Sequence, residues 1–151
     1  MTARTFALAV ATVISLTLGG CSLGLNATPN ATPTPTGSAE PAPVFVPDGD
    51  AQDNKVFFDH VLSGVATIDQ KQPGRAMVNA LVSAGFRKGS IQVTEDLTKT
   101  QIPADSVIVA VRINRSCLVG QRTNDKEYFS SIESALKTGG CLVGTTRVID
   151  W

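Results

Sequence analysis

Few side chains in this sequence can do chemistry: three cysteines (Cys21, Cys117 and Cys141), one histidine (His60), and scattered carboxylates and arginines. Arg112, Arg115 and Arg122 lie close together in sequence and could gather on a hairpin, with Arg87 and Lys88 nearby. Planar guanidinium forks in such a cluster would grip a carboxylate, a phosphate or an anionic wall polymer; scattered, they are an ordinary wet face. Asp48, Asp50 and Asp53, with Gly49 between the first two, offer the hard oxygens that suit a cation such as calcium. Their spacing departs from a calcium-binding loop, and the same carboxylates suit the positive end of a helix, so a helix cap and no metal site is the expectation.

Hydrolytic chemistry would need two carboxylates about 5 to 9 Å apart in a cleft. Asp59, Glu95, Asp96 and Asp105 are the available set, and their sequence spacing does not predict such a pair. His60 stands beside Val61, near an apolar stripe, as a structural or boundary histidine. No serine-hydrolase elbow, zinc-protease helix motif, phosphate loop or Cys-X-X-Cys accompanies it, so neither an enzyme nor a cofactor is expected.

The first cysteine belongs to a different argument. Residues Phe6 to Leu18 form an apolar stretch behind Arg4, too short to span a bilayer stably but suited to the core of a signal peptide. It ends in Leu18-Gly19-Gly20-Cys21, an aliphatic residue, two small residues and a cysteine, which resembles the lipobox of bacterial lipoproteins. That resemblance implies cleavage before Cys21, a diacylglyceryl thioether on its thiol, and attachment to the outer face of the cell membrane. Anchoring by two acyl chains is stable where one chain is marginal. With Cys21 given to lipid, Cys117 and Cys141 remain in the exported part, where an oxidising environment makes a disulfide between them the natural pairing.

Residues 1–20 are thus read as a signal peptide and 21–50 as a tether. Six of the eight prolines fall between Ser22 and Asp50, with Thr, Ala, Asn, Gly and Ser among them. Such a stretch cannot bury a core and acts as a semi-rigid spacer reaching at most about 90 Å. The chain carries 13 basic and 13 acidic side chains. From Ala51 onward the counts are 12 and 10, so no strong field attracts nucleic acid, and none is expected as a partner.

The elements that must position these residues lie in 51–151. Val56, Phe57, Val61, Gly64, Val65 and Ile68 recur at helical spacing and predict a first helix over about Ala51 to Ile68, capped by Asp50 or Asp53. A second helix starts at Pro73, carries Met77, Val78, Leu81 and Val82 inward, and stops at Gly85, after which Phe86 folds back onto the core. Ile91 and Val93 mark a short strand. Val107, Val109, Val111 and Ile113 mark a central one, with Ile108 and Ala110 on its other face, and a tight turn at Asn114-Arg115-Ser116 leads into a strand from Cys117 to Gln121.

Asn124 with Glu127 three residues on predicts a third helix, with Tyr128, Ile132, Ala135 and Leu136 on one face and Gly139-Gly140 at its end. Cys117-Leu118-Val119-Gly120 recurs as Cys141-Leu142-Val143-Gly144, read as two similar strand starts whose cysteines meet. The closing segment to Trp151 returns as an edge strand or stays an ordered tail, with the indole covering the core. The expected fold is a small single α+β domain: two N-terminal helices, a short mainly antiparallel sheet and a third helix, braced by one disulfide.

Ala84-Gly85-Phe86, Asp105-Ser106 ahead of a valine-rich strand, Cys117-Leu118-Val119-Gly120-Gln121, Cys141-Leu142-Val143-Gly144 and Ile149-Asp150-Trp151 together resemble a family of uncharacterised actinobacterial lipoproteins, a domain of unknown function. The resemblance covers roughly Ala51 to Trp151 and implies no catalytic residue. The functional expectation is a non-enzymatic, membrane-anchored module that binds another envelope protein or a cell-wall component. A small-ligand or ion-binding lipoprotein is the alternative, and a wall enzyme with an unfamiliar site comes third.

Overall fold

The computed structural model describes residues 41–151. Cys21 and the segments read as signal peptide and, up to residue 40, as tether lie outside the described residues. Helix α1 runs Ala51–Ala66 and helix α2 runs Pro73–Ser83. A single 3-10 turn at Lys88–Ser90 leads into strands β1 (Ile91–Val93), β2 (Ser106–Ile113), β3 (Ser116–Thr123) and β4 (Tyr128–Ser134). The four strands form one sheet in the order β1-β2-β3-β4, antiparallel throughout, with both helices packed on one face. The fold is α+β with one disulfide, as expected, but it has two helices and not three.

The start of α1 shows what the acidic cluster does. Asp50 Oδ1 accepts from the Gln52 and Asp53 amides at 2.7 and 3.0 Å, and Asp53 Oδ2 accepts from the Asp50 amide at 2.9 Å. This reciprocal capping box satisfies amides that the first helical turn leaves unpaired. Helix α2 ends in a Schellman arrangement: Gly85 at φ 106° donates to the Val82 carbonyl, and Phe86 donates to the Leu81 carbonyl. Phe86 is thereby turned onto the core, 3% exposed.

Alternation along the strands sorts the two faces. Val107, Val109 and Val111 of β2 face the helices with Leu118 of β3, and Phe58 and Leu62 of α1 fill the space above them. Each fully buried side chain of this size contributes roughly 1.5–3 kcal/mol. Gly120 lies directly beneath α1, where an added Cβ would stand 2.7 Å from Leu62 Cδ1 and 3.2 Å from the Phe58 ring, so the close approach of helix and sheet requires glycine there. On the opposite face Ala110, Cys117 and Cys141 form a second small cluster. The Cys117–Cys141 disulfide spans a Cα–Cα distance of 5.7 Å.

Four expectations are corrected. The segment Tyr128–Ser134 is an edge strand, not a helix. Asn124, Asp125 and Lys126 form the loop of a β3-β4 hairpin, with Lys126 at φ 68° and the Thr123 amide donating to the Glu127 carbonyl. Tyr128 and Ile132 are four residues apart, a spacing that serves a helix face and a strand face equally. Pairing with β3 satisfies the backbone and puts both of them inward. The buried line of α1 is Ala51, Asn54, Phe58, Leu62 and Ala66, about one residue round from the stripe read in the sequence, and Val56 and Ile68 are 67% and 52% exposed. Val82 of α2 also faces outward, 39% exposed. Finally, Cys141-Leu142-Val143-Gly144 is a bend outside the sheet, so the repeated tetrapeptide is one strand start and one tail.

Packing begins ahead of α1. The Phe45 ring lies 4.8 Å from Phe86 and 5.8 Å from Phe57, centroid to centroid. The buried Asn54 amide grips Val46 on both sides, accepting from its N–H and donating to its carbonyl, each at 2.9 Å. The closing segment is an ordered tail. The Arg147 amide donates to the Val93 carbonyl, and the half-buried Trp151 indole lies between the guanidinia of Arg147 and Arg75 at 4.7 and 5.1 Å. Its Nε1 donates to Asn79. No helix among the described residues is long and apolar enough to cross a membrane.

Candidate functional site

The three arginines singled out in the sequence do not gather. Arg122 pairs in register with Val107 on the helix-bearing face and is only 6% exposed. Its Nε donates to the Ala66 carbonyl at 2.6 Å, and its other nitrogens reach the Thr123 and Ile68 carbonyls at 3.3 and 3.5 Å. It therefore closes the C-terminal end of α1, where carbonyls lack helical partners and the helix dipole favours a cation. Arg115 sits exposed in the two-residue β2-β3 turn beside Asn114, which takes φ 56°, a left-handed conformation that asparagine tolerates best after glycine. Arg112 is on the opposite sheet face, in register with Cys117.

Arg112 has a different companion. A groove of about 830 Å³ opens at the end of the sheet where β2 finishes and β1 begins, and both Arg112 and Arg87 line it. Its walls come from four stretches of chain: residues 45–49 with Asn54, the turn 87–90 with Gln92, the end of β2 with Asn114, and the loop 138–140. Each stretch is pinned. The Asn54 clamp on Val46 fixes the first. Arg112 Nη1 donates at 2.6 Å to the Gly139 carbonyl, and Gln92 Oε1 accepts from the Cys141 and Leu142 amides at 2.5 and 3.3 Å. The disulfide then ties Cys141 to β3. Among the described residues neither Arg87 nor Arg112 has a carboxylate within ion-pair distance, and Asp48 is the one acid on the groove wall.

The candidate carboxylates are dispersed. Asp59 pairs with Lys55 at 2.5 Å and accepts the Tyr128 hydroxyl at 3.0 Å at the α1-β4 contact. Asp96 caps α2 through the Gly74 amide at 2.7 Å and pairs with Arg147 at 2.8 Å. Glu95 and Asp96 share a hollow of about 420 Å³, and Asp96 is already held by these two partners. Asp105 and His60 are exposed elsewhere. No group of three or more metal-ligating side chains comes together among the described residues.

The ionisation of Tyr128 is displaced. Burial holds its phenol well above the ordinary value of 10.0, and the charge of Asp59 and the hydrogen bond to it push in the same direction. The native state therefore keeps this proton where the unfolded chain has begun to release it, so stability falls as pH rises past about 10. As the chain has a single tyrosine, phenolate absorbance reports this group alone. Absorbance should rise only at a pH well above 10 in the folded protein and near 10 in urea; coincident titrations would refute the assignment.

A disulfide-braced α+β domain with a pinned, polar, cation-bearing groove is the class that these observations define. The chain belongs to the family described as Domain of unknown function (DUF6993), whose model matches residues 62–145, more than half of the sequence. The match runs from Leu62 in α1 to the bend after Cys141, and so includes Arg87, Arg112 and the disulfide but not the Phe45 wall. No curated protein and no solved structure matches the chain.

Sequence reasoning named Arg112 and placed Arg87 near it, but missed Asn54, Gln92 and Phe45. The signal available for Asn54 was its position: it falls on the i, i+4 line through Phe58 and Leu62, where a polar side chain must be satisfied by something specific.

Proposed function

We propose that the chain is a lipid-anchored module on the outer side of a bacterial membrane, held through Cys21, which binds an envelope component in the groove between Arg87 and Arg112 and catalyses no reaction. The observation that carries the binding reading is the groove itself. Four separate stretches of chain are fixed around it, so little ordering entropy remains to be lost on binding, and two guanidinia face it without an acid partner among the described residues. Its size falls within the roughly 300–1,000 Å³ of ligand sites in general. The dispersal of Asp59, Asp96, Asp105 and His60 supports binding over catalysis, because acid-base work needs these groups within reach of one another.

The anchor rests on Leu18-Gly19-Gly20-Cys21 behind its apolar stretch. With Phe45 seated against the core, 23 residues lie between it and Cys21. In cells, the full chain is expected in the membrane fraction and in the detergent phase of a cloud-point extraction, and a Cys21→Ala form in the aqueous phase. A photo-crosslinker at Thr138, on the groove rim, is expected to capture an envelope component from the anchored form only. Equal membrane partitioning of the two forms would sink the anchor. Identical crosslinks from Thr138 and from His60, an exposed residue that does not line the groove, would sink the groove.

A further inference from the structure

Building on that reading of the groove, we infer that its ligand is an acidic oligosaccharide, a sugar chain carrying carboxylate or phosphate groups. The lining divides into three chemistries. Arg87 and Arg112 supply the cations, and Arg112 is held in place by its bond to the Gly139 carbonyl, which leaves its remaining N–H groups for an oxyanion in fork geometry. Neutral hydrogen-bonding groups outnumber these cations. Ser90, Asn114 and Thr138 have side chains without a protein partner among the described residues, and the Gln92 amide spends its oxygen on the Cys141 and Leu142 amides, leaving its Nε2 hydrogens over. Asp48 adds an acceptor for hydroxyl pairs. Phe45, with Ile113, gives the groove an aromatic and aliphatic wall.

A bare anion would use the guanidinia and leave the amides, hydroxyls and aromatic wall without purpose. A polynucleotide would call for a longer basic track and stacking rings, whereas the groove offers two cations offset by Asp48 and one aromatic side chain. A sugar uses all three chemistries: hydroxyls for the amides and hydroxyls, the ring's C–H face for Phe45, and an acidic substituent for the arginine pair.

The test is calorimetric titration of the full chain in detergent micelles, with four probes. These are a galacturonic acid tetramer, its methyl ester, a phosphorylated mannan oligomer, and inorganic phosphate. At least one acidic glycan is expected to bind, with affinity falling as salt rises, and the better of the two identifies the acidic group. Methyl ester and phosphate are expected to bind about tenfold more weakly or not at all, having lost either charge-assisted bonds or the sugar.

Arg87→Ala is the informative variant because its side chain makes no hydrogen bond among the described residues, so the fold does not depend on it. It should weaken the acidic glycan by about tenfold with an unchanged unfolding midpoint, and Arg115→Ala, outside the groove, by less than about twofold. The inference is overturned if neither acidic glycan binds, if the ester or free phosphate binds equally well, or if Arg115→Ala costs as much as Arg87→Ala. Crosslinking at Thr138 keeps the two proposals apart: a protein captured there with no glycan binding would overturn this inference and leave the binding module standing.

Discussion

Replacing Cys117 and Cys141 together by serine, or reducing the bond in the intact protein, is expected to lower stability by about 3 kcal/mol, from the entropy that closing a loop of this length removes from the unfolded chain. The two cysteines are 24 residues apart, and the loop they close contains β4 and the whole 138–140 wall of the groove. The effect is therefore expected to be twofold. The urea midpoint should fall, and amide exchange should rise through 136–147, because past Ser134 the disulfide is the one covalent hold on a stretch otherwise kept by scattered hydrogen bonds, one donated by Arg112 and others accepted by Gln92 and Val93. Identical midpoints for oxidised and reduced protein, or exchange that rises evenly over the chain, would show that the segment is held by its packing alone.

The disulfide was legible in the sequence because it followed from counting thiols once Cys21 was read as lipidated and the chain as exported. Strand β4 was not, and its residues explain why. Asn124 with Glu127 reads as a helix cap, and Tyr128 with Ile132 as a helix face, yet both patterns are equally consistent with a hairpin loop and a strand. The decision was made by something non-local: β3 has an edge that Tyr128–Ser134 covers, and seven residues pair along it. The intervening serines, Ser130 and Ser131, look like the polar side of a helix, but Ser130 faces α1, where Lys55 donates to its hydroxyl. The same kind of blindness displaced the stripe of α1. Phe57, Val61 and Val65 are real contacts at the border of the core, but its centre runs through Phe58 and Leu62, and Asn54 belongs to that line although it is polar.

For the groove, proximity in sequence was a poor guide to proximity in space. Arg115 and Arg122 are near Arg112 along the chain, but strand alternation and the turn send the three side chains to different places. Arg87 is far along the chain and near in the fold, because antiparallel pairing of Ile91 with Val111 brings the turn before β1 alongside the end of β2. The two faces of β2 and β3 separate cleanly: odd-numbered residues of β2 and even-numbered residues of β3 share the helix face, as Val107 and Arg122 do, while Arg112 and Cys117 lie on the other. Had the register been available from the sequence, Arg122 would have been removed from the cluster at once.

That removal carries the second large prediction. Arg122→Met keeps most of the apolar stem and deletes every donor, leaving the buried Ala66 carbonyl at the end of α1, and the part-buried Ile68 and Thr123 carbonyls, without this partner. A buried group left unsatisfied costs about 1–3 kcal/mol, and more than one carbonyl is affected, so the loss is expected near 3 kcal/mol. Arg122→Lys keeps the charge at the negative end of the helix but loses the fork and should recover only part of it. Arg115→Met, in the exposed turn, should stay within about 0.5 kcal/mol of the parent. Urea unfolding of the four proteins decides the matter. If Arg122→Met costs no more than Arg115→Met, the guanidinium is not what closes α1, and its burial must be ascribed to the packing of its stem against the helices.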